Sequence, residues 1–486
     1  VVSSGTSEGT LKECRGLAWK GNDLYAHANN SKAVYRLRDT DGDDRLDEVT
    51  QVLATKGDSG HGRNALTLGP DGAVHAITGD DVLVPATSLR RTRPEPQAPN
   101  ELGHWARYSE SADGTATWET FCRGLRNPYG IDFNGDGEAF TYDADHEADT
   151  GLPYYRPTRI NHLVSGANYG WHQDRQNQRS LPVHAPDTAP TTFDVGRGSP
   201  TGVRFGARSH FPSPWKEALF ALDWAYGRIV AVHLTPNGAS YTASGVTFLE
   251  GRPLNVTDLV FDADGAMWFV TGGRKTQASL YRVRYTGQKT NPAPVDEQAQ
   301  ASAAFSKQAR ELRKRLERFH GKTDLAAVDE LWPHLDSADP WIRTAARVAL
   351  EWQPLDTWRE RALAADAGLT AKLALARAGS DADRAAMATA LPSFTGKSRT
   401  EKLTSLRIRE WTGSMKPIEK PAVDASDAVN RELALALAAI GSPDAVSFAL
   451  ERLASATEQM ERLHYIEALA ETKSGWTTTQ RDTFFT

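Results

Sequence analysis

Residues 1 to about 285 alternate apolar and polar positions in short runs that break at Gly, Asp, Asn or Pro. Asp23-Leu-Tyr-Ala-His, Ala73-Val-His-Ala-Ile, Glu138-Ala-Phe-Thr-Tyr, Arg228-Ile-Val-Ala-Val-His-Leu and Ala266-Met-Trp-Phe-Val are examples. Period-two alternation between turn signals predicts half-buried antiparallel strands. No helical stretch separates them, which argues against a parallel α/β sheet. Asp-Gly precedes a strand at Asp71-Gly72, Asp136-Gly137 and Asp264-Gly265, and this pair suits the positive φ of a tight hairpin turn. A turn recurring in repeated sheets predicts a β-propeller of about six blades, at roughly 40–45 residues each.

The periodicity then changes. Residues 286–305 read as a linker, with Asn291-Pro-Ala-Pro and an Ala/Gln/Ser run. From about 306 to 486, Ala, Leu, Arg and Glu dominate at helical spacing. Pro340 opens a helix that puts Ile342, Ala345, Ala346 and Ala349 on one face. A second helix starts near Asp427, and Gly441-Ser-Pro-Asp stops it and starts the next. Helix pairs at this scale predict a HEAT-like α-helical solenoid. Trp332, His334 and Trp352 are read there as packing residues. The fold class is thus multidomain β plus α, with 1–285 as the propeller and 306–486 as the helical repeat domain.

Composition changes little. The 486 residues are 40% hydrophobic and 24% charged, an ordinary globular mixture. A net charge of -6 gives no reason to expect nucleic acid or an anionic membrane as partner. No apolar run is long enough to span a bilayer. The chain opens on Val1 without a signal segment, which fits either a removed presequence or a piece of a longer polypeptide. The two cysteines, Cys14 and Cys122, fit neither haem attachment nor zinc spacing. They are either two free thiols or one disulfide.

Three segments carry candidate chemistry. His61 precedes one predicted strand, and Asp80 and Asp81 follow the next. The Asp71-Gly72 hairpin would return Asp80 close to His61. A carboxylate beside a histidine fixes its tautomer and supports the imidazolium, as a general base requires. The plainer alternative is a capping histidine and a turn aspartate. Arg126, in Arg123-Gly-Leu-Arg-Asn-Pro-Tyr-Gly, is a permanent forked cation suited to a carboxylate or polarised carbonyl. The third segment is Gly166-Ala-Asn-Tyr-Gly-Trp171.

Carboxylates form two further candidates. Asp39, Asp41, Asp43 and Asp47 alternate as calcium ligands in a tight loop would. Thr50 stands where an EF-hand needs Glu, and a solvated Asp-rich turn is the alternative. Asp143, Asp145, Glu147 and Asp149 also alternate, and buried carboxylates need a cation or raised pKa values to coexist. Asp132-Phe-Asn-Gly-Asp136 is a fainter version. Trp171, Trp224, Tyr226 and Tyr155 sit in Gly-rich loops, where they either stack on sugar rings or pack between blades.

In order, His61, Gly69-Pro-Asp-Gly72, Gly79-Asp80, Arg126-Asn-Pro128 with Gly130, and Gly166 to Trp171 resemble the soluble aldose/glucose and sorbosone dehydrogenases that use pyrroloquinoline quinone (PQQ). The match covers roughly residues 58–172. Phe140-Thr-Tyr-Asp-Ala-Asp-His-Glu-Ala-Asp, Tyr155-Arg-Pro-Thr-Arg, Gly198-Ser-Pro-Thr-Gly, Asp223-Trp-Ala-Tyr-Gly-Arg and Thr271-Gly-Gly-Arg-Lys-Thr are similar to planctomycete-type membrane-bound dehydrogenase-like, haem-binding proteins with HEAT-like repeats. The resemblance implies an extracytoplasmic, PQQ-dependent oxidoreductase acting on a sugar or sugar-derived alcohol or aldehyde. Electrons would pass to a c-type haem domain or partner. It implies His61 as base, Asp80 as its orienter, and Arg126 on the quinone or the developing charge. Asn127, Asn168, Tyr169, Trp171 and Arg274 would help hold the cofactor, and calcium would polarise it. The sequence departs from the soluble enzymes at Asp143 to Asp149, where they have a Gly-Pro loop that holds calcium. A non-catalytic carbohydrate- or protein-binding propeller with a solenoid arm is the alternative reading. Carbohydrate cleavage by a pair of the carboxylates at 143–149 is a third.

Overall fold

A computed structural model describes residues 11–93, 102–111, 114–171, 180–287, 297–391, 397–413 and 422–485. The chain divides into two compact units. The first is 1–146, 156–179 and 189–321; the second is 147–155, 180–188 and 322–486.

The first unit is a β-propeller with five blades among the described residues. Blade I is Cys14–Lys20, Asp23–Ala28, Ala33–Arg38 and Glu48–Ala54; blade II is Arg63–Leu68, Val74–Thr78, Trp105–Glu110 and Ala116–Cys122, with Leu89–Arg90 at its edge. Blade III is Ile131–Phe133, Ala139–Asp143, Thr158–Leu163 and Phe193–Gly196; blade IV is Pro200–Phe205, Leu219–Asp223, Arg228–Asn237 and Ser240–Glu250. Blade V has three strands, Val256–Phe261, Met267–Thr271 and Ser279–Val283. Each sheet is an antiparallel meander in chain order, apart from the parallel edge strand Leu89–Arg90.

The Asp-Gly turns recur as read. Gly72, Gly137 and Gly265 have φ of 72°, 71° and 71°, a region that excludes most L side chains. Each turn joins the first two strands of its blade, II, III and V. Blades bury their faces against one another. Ala18, Tyr25 and Val34 of blade I pack with Leu66, Val74 and Ala76 of blade II. Phe140 and Ile160 of blade III meet Val203 and Leu219 of blade IV. Phe220 and Leu222 of blade IV meet Leu259 and Phe269 of blade V. Six blades were expected on length alone; three of the five meanders exceed the usual repeat because of long inserted connections, such as 164–192 in blade III.

Cys14 is exposed and Cys122 buried, and both are free thiols. Burial pushes the Cys122 thiol up to about 12.

The expected linker is partly helix. Residues 288–296 lie outside the described residues, and Glu297–Glu317 is helical and belongs to the first unit. Its buried Arg313 places Nη2 2.8 and 2.6 Å from the two carboxylate oxygens of Glu138. Glu138 also bonds His162 at 2.9 Å and Lys314 at 3.0 Å. Burial alone would raise the Glu138 carboxyl, but Arg313 and His162 hold it far below the ordinary range. The amphipathic reading from 306 onward began the helical domain inside this helix, because composition shows a helix but not what it packs on.

The second unit holds ten α-helices among the described residues, from Ala327–Leu331 to Thr478–Phe485. Pro340–Glu351 is capped by Asp339, whose carboxylate accepts from Trp341 N and Ile342 N. Ile342, Ala345, Ala346 and Ala349 are all buried, as the helical spacing required. Asp427–Ala439 ends before Gly441, and Ala445–Ser455 follows. The two segments inserted from the first half are tied into this unit. Tyr154 donates to Glu467 at 2.9 Å, and Asp187 accepts from Arg377 at 2.7 Å and Arg407 at 3.0 Å.

Two histidines predict an acid response of the propeller. His27 and His104 are fully buried, and burial lowers both from 6.5 to about 3. A depressed folded pKa means stability present above the unfolded value and lost as pH falls. Resistance to urea is therefore expected to decline from about pH 6.5 downward. The decline should be shallower in a His27→Gln/His104→Gln variant, measured by urea midpoints at pH 7 and pH 4. Parallel declines would refute it.

Candidate active site

Strand direction fixes one end of the propeller. His61 precedes the first strand of blade II, Asp80 follows its second strand, and Arg126 precedes the first strand of blade III. All three therefore lie at the same end, opposite the Asp-Gly turns. His61 Nδ1 is 2.7 Å from Asp80 Oδ1. The second oxygen, Asp80 Oδ2, accepts the indole N–H of Trp171 at 2.5 Å. The backbone closes the same knot. Asp80 N donates to Arg126 O at 2.8 Å, Asp81 N to His61 O at 3.1 Å, and His61 N to Asp81 Oδ2 at 2.8 Å. A Cβ on Gly79 would sit 2.5 Å from His61 O, so only glycine lets the two strands close here.

The dyad is asymmetric in exposure. The Asp80 side chain is 3% exposed and that of His61 33%. A nearly buried carboxylate accepting Nδ1–H leaves imidazole Nε2 as the outward lone pair. Arg126 stands over the Trp171 ring at 5.4 Å, so the same indole links the cation to the dyad. His146, which was not singled out, lies on Trp171 too, at 4.9 Å between ring centroids.

Trp171 arrives by an unusual route. Residues 166–171 run beside 121–124, joined to them by a parallel bridge between Arg123 and Asn168. Gly166 N bonds Phe121 O at 2.7 Å, and Trp171 N bonds Gly124 O at 2.9 Å. That role occupies Asn168 and Tyr169. Asn168 Oδ1 accepts from Gly170 N at 2.9 Å, and fully buried Tyr169 donates to His162 O at 2.5 Å. Both were expected to hold a cofactor; in the structure both hold the backbone that carries Trp171. Asn127 pairs with Asn64 at 3.3 Å, and Asn64 also donates to Pro128 O at 2.7 Å. Arg274 lies after the second strand of blade V, at the same end of the propeller. It stands over Trp224 at 5.4 Å, and Trp224 donates to Gly272 O at 2.7 Å. Tyr226 is 49% exposed in the neighbouring loop.

Among the described residues, the carboxylate run at 143–149 does not bring three ligand atoms together as the Asp39 loop does. Asp143 is buried, and its oxygens accept from Arg126 N at 3.2 Å, Asn127 N at 2.9 Å and Ala144 N at 2.9 Å. Arg159 adds an ion pair at 3.1 Å with both side chains 0% exposed. The same device recurs in blade IV, where Asp223 accepts from Ser199 N at 2.9 Å and pairs with Arg228 at 2.9 Å. Asp143 and Asp145 fall in the first unit, Glu147 and Asp149 in the second. Alternation placed them on a loop, but their partners come from elsewhere in the chain. Asp132 is likewise spent on Phe205 N at 2.7 Å, and Asp136 on Arg310 at 2.8 Å.

Among the described residues, Asp39, Asp41 and Asp43 alone bring three carboxylates close enough for one ion, within 4.8 Å. Asp47 is not in that group. It closes the loop by accepting from Thr40 N at 2.8 Å.

The family model that matches the chain is described as a domain of unknown function (DUF7133) and spans residues 15–270. No curated protein matches. Similar solved structures include a Thermus thermophilus protein provisionally described as an oxidoreductase (glucose dehydrogenase). It is 19% identical with a TM-score of 0.41, over 57% of this chain and 86% of that one. A glucose dehydrogenase is 18% identical with a TM-score of 0.41, over 55% and 79%. The PQQ-bound aldose sugar dehydrogenase of Streptomyces coelicolor is 15% identical with a TM-score of 0.32, over 56% and 94%.

Proposed function

This chain belongs to the DUF7133 family, and we propose that its propeller is an oxidoreductase that oxidises a sugar or sugar-derived alcohol or aldehyde. The observation that carries the reading is the His61–Asp80 pair at 2.7 Å, with Nε2 turned outward and Arg126 linked to it through Trp171. Asp80 accepts Nδ1–H and so fixes the tautomer that leaves the lone pair on Nε2. Nε2 takes the hydroxyl proton of the substrate, and the buried Asp80 charge stabilises the imidazolium that results. Trp171 N–H holds the second Asp80 oxygen and aims the carboxylate. Arg126 stabilises negative charge on the oxygen being oxidised or on the acceptor.

Hydride leaves the substrate carbon, so an acceptor is required. PQQ is a planar quinone bearing carboxylates, and the end of the propeller that carries the dyad offers it guanidiniums on indoles: Arg126 on Trp171 and Arg274 on Trp224. Those residues fit an anionic planar group, and when bound it would supply the two-electron sink. The same test fails for calcium beside the dyad, because the Asp143 oxygens are already occupied. We place calcium instead in the Asp39–Asp43 loop, as a structural ion of blade I. Chelation is then expected to lower the thermal midpoint of the wild type but not of an Asp41→Asn variant. An equal drop in both would exclude that site.

An extracytoplasmic location, a c-type haem as electron acceptor and a HEAT-like stacking of the helical unit belong to the same proposal. The test is incubation with PQQ, followed by dye reduction across a panel of aldoses and their alcohols. Turnover that needs both PQQ and a sugar is expected. A folded protein that binds sugars or proteins without reducing dye would make it a non-catalytic binding propeller. Reducing ends released without an acceptor would make it a hydrolase.

A further inference from the structure

Arg63 in blade II shows how a buried arginine is satisfied without an anion. It is 0% exposed, and its guanidinium donates to Thr55 Oγ1 at 2.5 Å, Asn29 O at 3.4 Å, Asp58 O at 2.9 Å and Lys56 O at 2.9 Å. Every nitrogen of that guanidinium meets an oxygen. Arg159 in blade III is also fully buried, and both its terminal nitrogens are engaged. Nη1 donates to Ala144 O at 3.0 Å, and Nη2 to Asp143 Oδ2 at 3.1 Å and His146 Nε2 at 2.9 Å.

Arg156, just before the same strand, differs from both. It is 3% exposed, yet among the described residues its guanidinium makes one hydrogen bond, from Nη1 to Tyr169 O at 3.0 Å. Its Nε and Nη2 are buried and have no partner. A buried polar group without a partner is costly, and a charged one most of all. Burial, and then the like charge of Arg159, pushes the Arg156 guanidinium down to about 9. Asp194 and Asp143 act in the opposite sense, but neither forms an ion pair with Arg156 among the described residues. The Asp143 oxygens are taken by Arg159 and by the amides of Arg126, Asn127 and Ala144. Arg156 and Arg159 thus have one ion-paired carboxylate between them.

The two unpartnered nitrogens define what would satisfy them. Nε–H and one Nη2–H point the same way from one planar edge of a guanidinium, the fork that grips a carboxylate or holds a single ion between its prongs. At 3% exposure this edge is closed to a sugar ring or a quinone. We propose that the Nε–Nη2 edge of Arg156 binds a small monovalent anion, a halide or a carboxylate of formate size, as a fixed component of blade III. The anion supplies both the acceptor and the opposing charge, whereas a water supplies only the acceptor. Nη1 of the same guanidinium holds Tyr169 O, two residues before Trp171, whose indole holds Asp80. The anion therefore braces the segment that carries Trp171, whatever reaction the dyad performs.

The experiment is thermal unfolding at constant ionic strength, with isethionate, too bulky for the edge, replaced stepwise by chloride, bromide or formate. The midpoint is expected to rise with the logarithm of the anion concentration, as binding to the folded state alone requires. The anion that acts at the lowest concentration distinguishes halide from carboxylate. An Arg156→Met variant should lose this dependence, and Arg156→Lys, which keeps the charge but not the fork, should need more anion for the same shift. Wild-type crystals soaked in bromide should show an anomalous peak within hydrogen-bond reach of Arg156 Nε and Nη2, a result that needs no variant to fold. Bromide found only on the surface, with a water on this edge, overturns the proposal. So does a midpoint that no anion moves, or an anion dependence that persists unchanged in Arg156→Met.

Discussion

A His61→Asn variant is expected to fold normally and to lose about 10²–10⁴-fold in kcat for sugar oxidation, the usual range for a positioned general base. The asparagine fills similar space and retains polar contact with Asp80, so the loss reports chemistry and not packing. Asp80→Asn should behave similarly for a different reason. An amide in place of the carboxylate can donate to Nδ1, which then becomes the acceptor and leaves Nε2 protonated. The base is present but in the wrong tautomer. Steady-state kinetics with the PQQ-loaded protein, alongside thermal unfolding of each variant, check both. A kcat that survives either substitution removes the dyad from the mechanism, whatever PQQ binding shows.

The second large effect is on stability. Arg159→Ala is expected to cost about 3–5 kcal/mol, because it strands a buried carboxylate without its partner. Both side chains of this pair are 0% exposed, so solvent cannot compensate. Burial already pushes the Asp143 carboxyl above its ordinary value, with Arg159 and three backbone N–H groups opposing. Without Arg159, the neutral form becomes favoured, and the grip on Arg126 N and Asn127 N loosens. Arg228→Ala in blade IV removes the equivalent partner of Asp223, but Arg228 is 25% exposed. Its cost should be clearly smaller, since water reaches that site. Urea unfolding of the two variants side by side makes the comparison. Equal costs would show that burial is not what sets the energy of these pairs.

These two predictions separate residues that looked alike in the sequence. Asp80 and Asp143 each follow the second strand of a blade or close it, and both were read as chemistry. Asp80 faces a histidine whose other nitrogen is open; Asp143 faces an arginine and three amides that use it up. Nothing in the spacing of Asp143, Asp145, Glu147 and Asp149 could reveal that. Asn168 and Tyr169 were drawn in by the motif around Trp171, yet only the tryptophan reaches the dyad. His146 left a signal, a histidine within the acidic run, but its approach to Trp171 depends on how two loops of blade III fold back.

The sequence by itself determined the elements and their grammar. Alternation with period two gave strands, Asp-Gly gave turns of positive φ, and helical spacing opening at Pro340 gave helices. These are local properties, set by backbone sterics and by which side of an element is apolar. His61 and Asp80 were also within its reach, because one hairpin joins them and a hairpin is nearly local. Tertiary structure alone decided the rest. It decided that Glu297–Glu317 belongs to the propeller through Glu138, and that Asp187 belongs to the helical unit through Arg377 and Arg407. It decided which carboxylates pair with arginines and backbone amides and which one faces a histidine. Each depends on partners far away in sequence, and burial and pairing energies are properties of the assembled partners that no single stretch of chain contains.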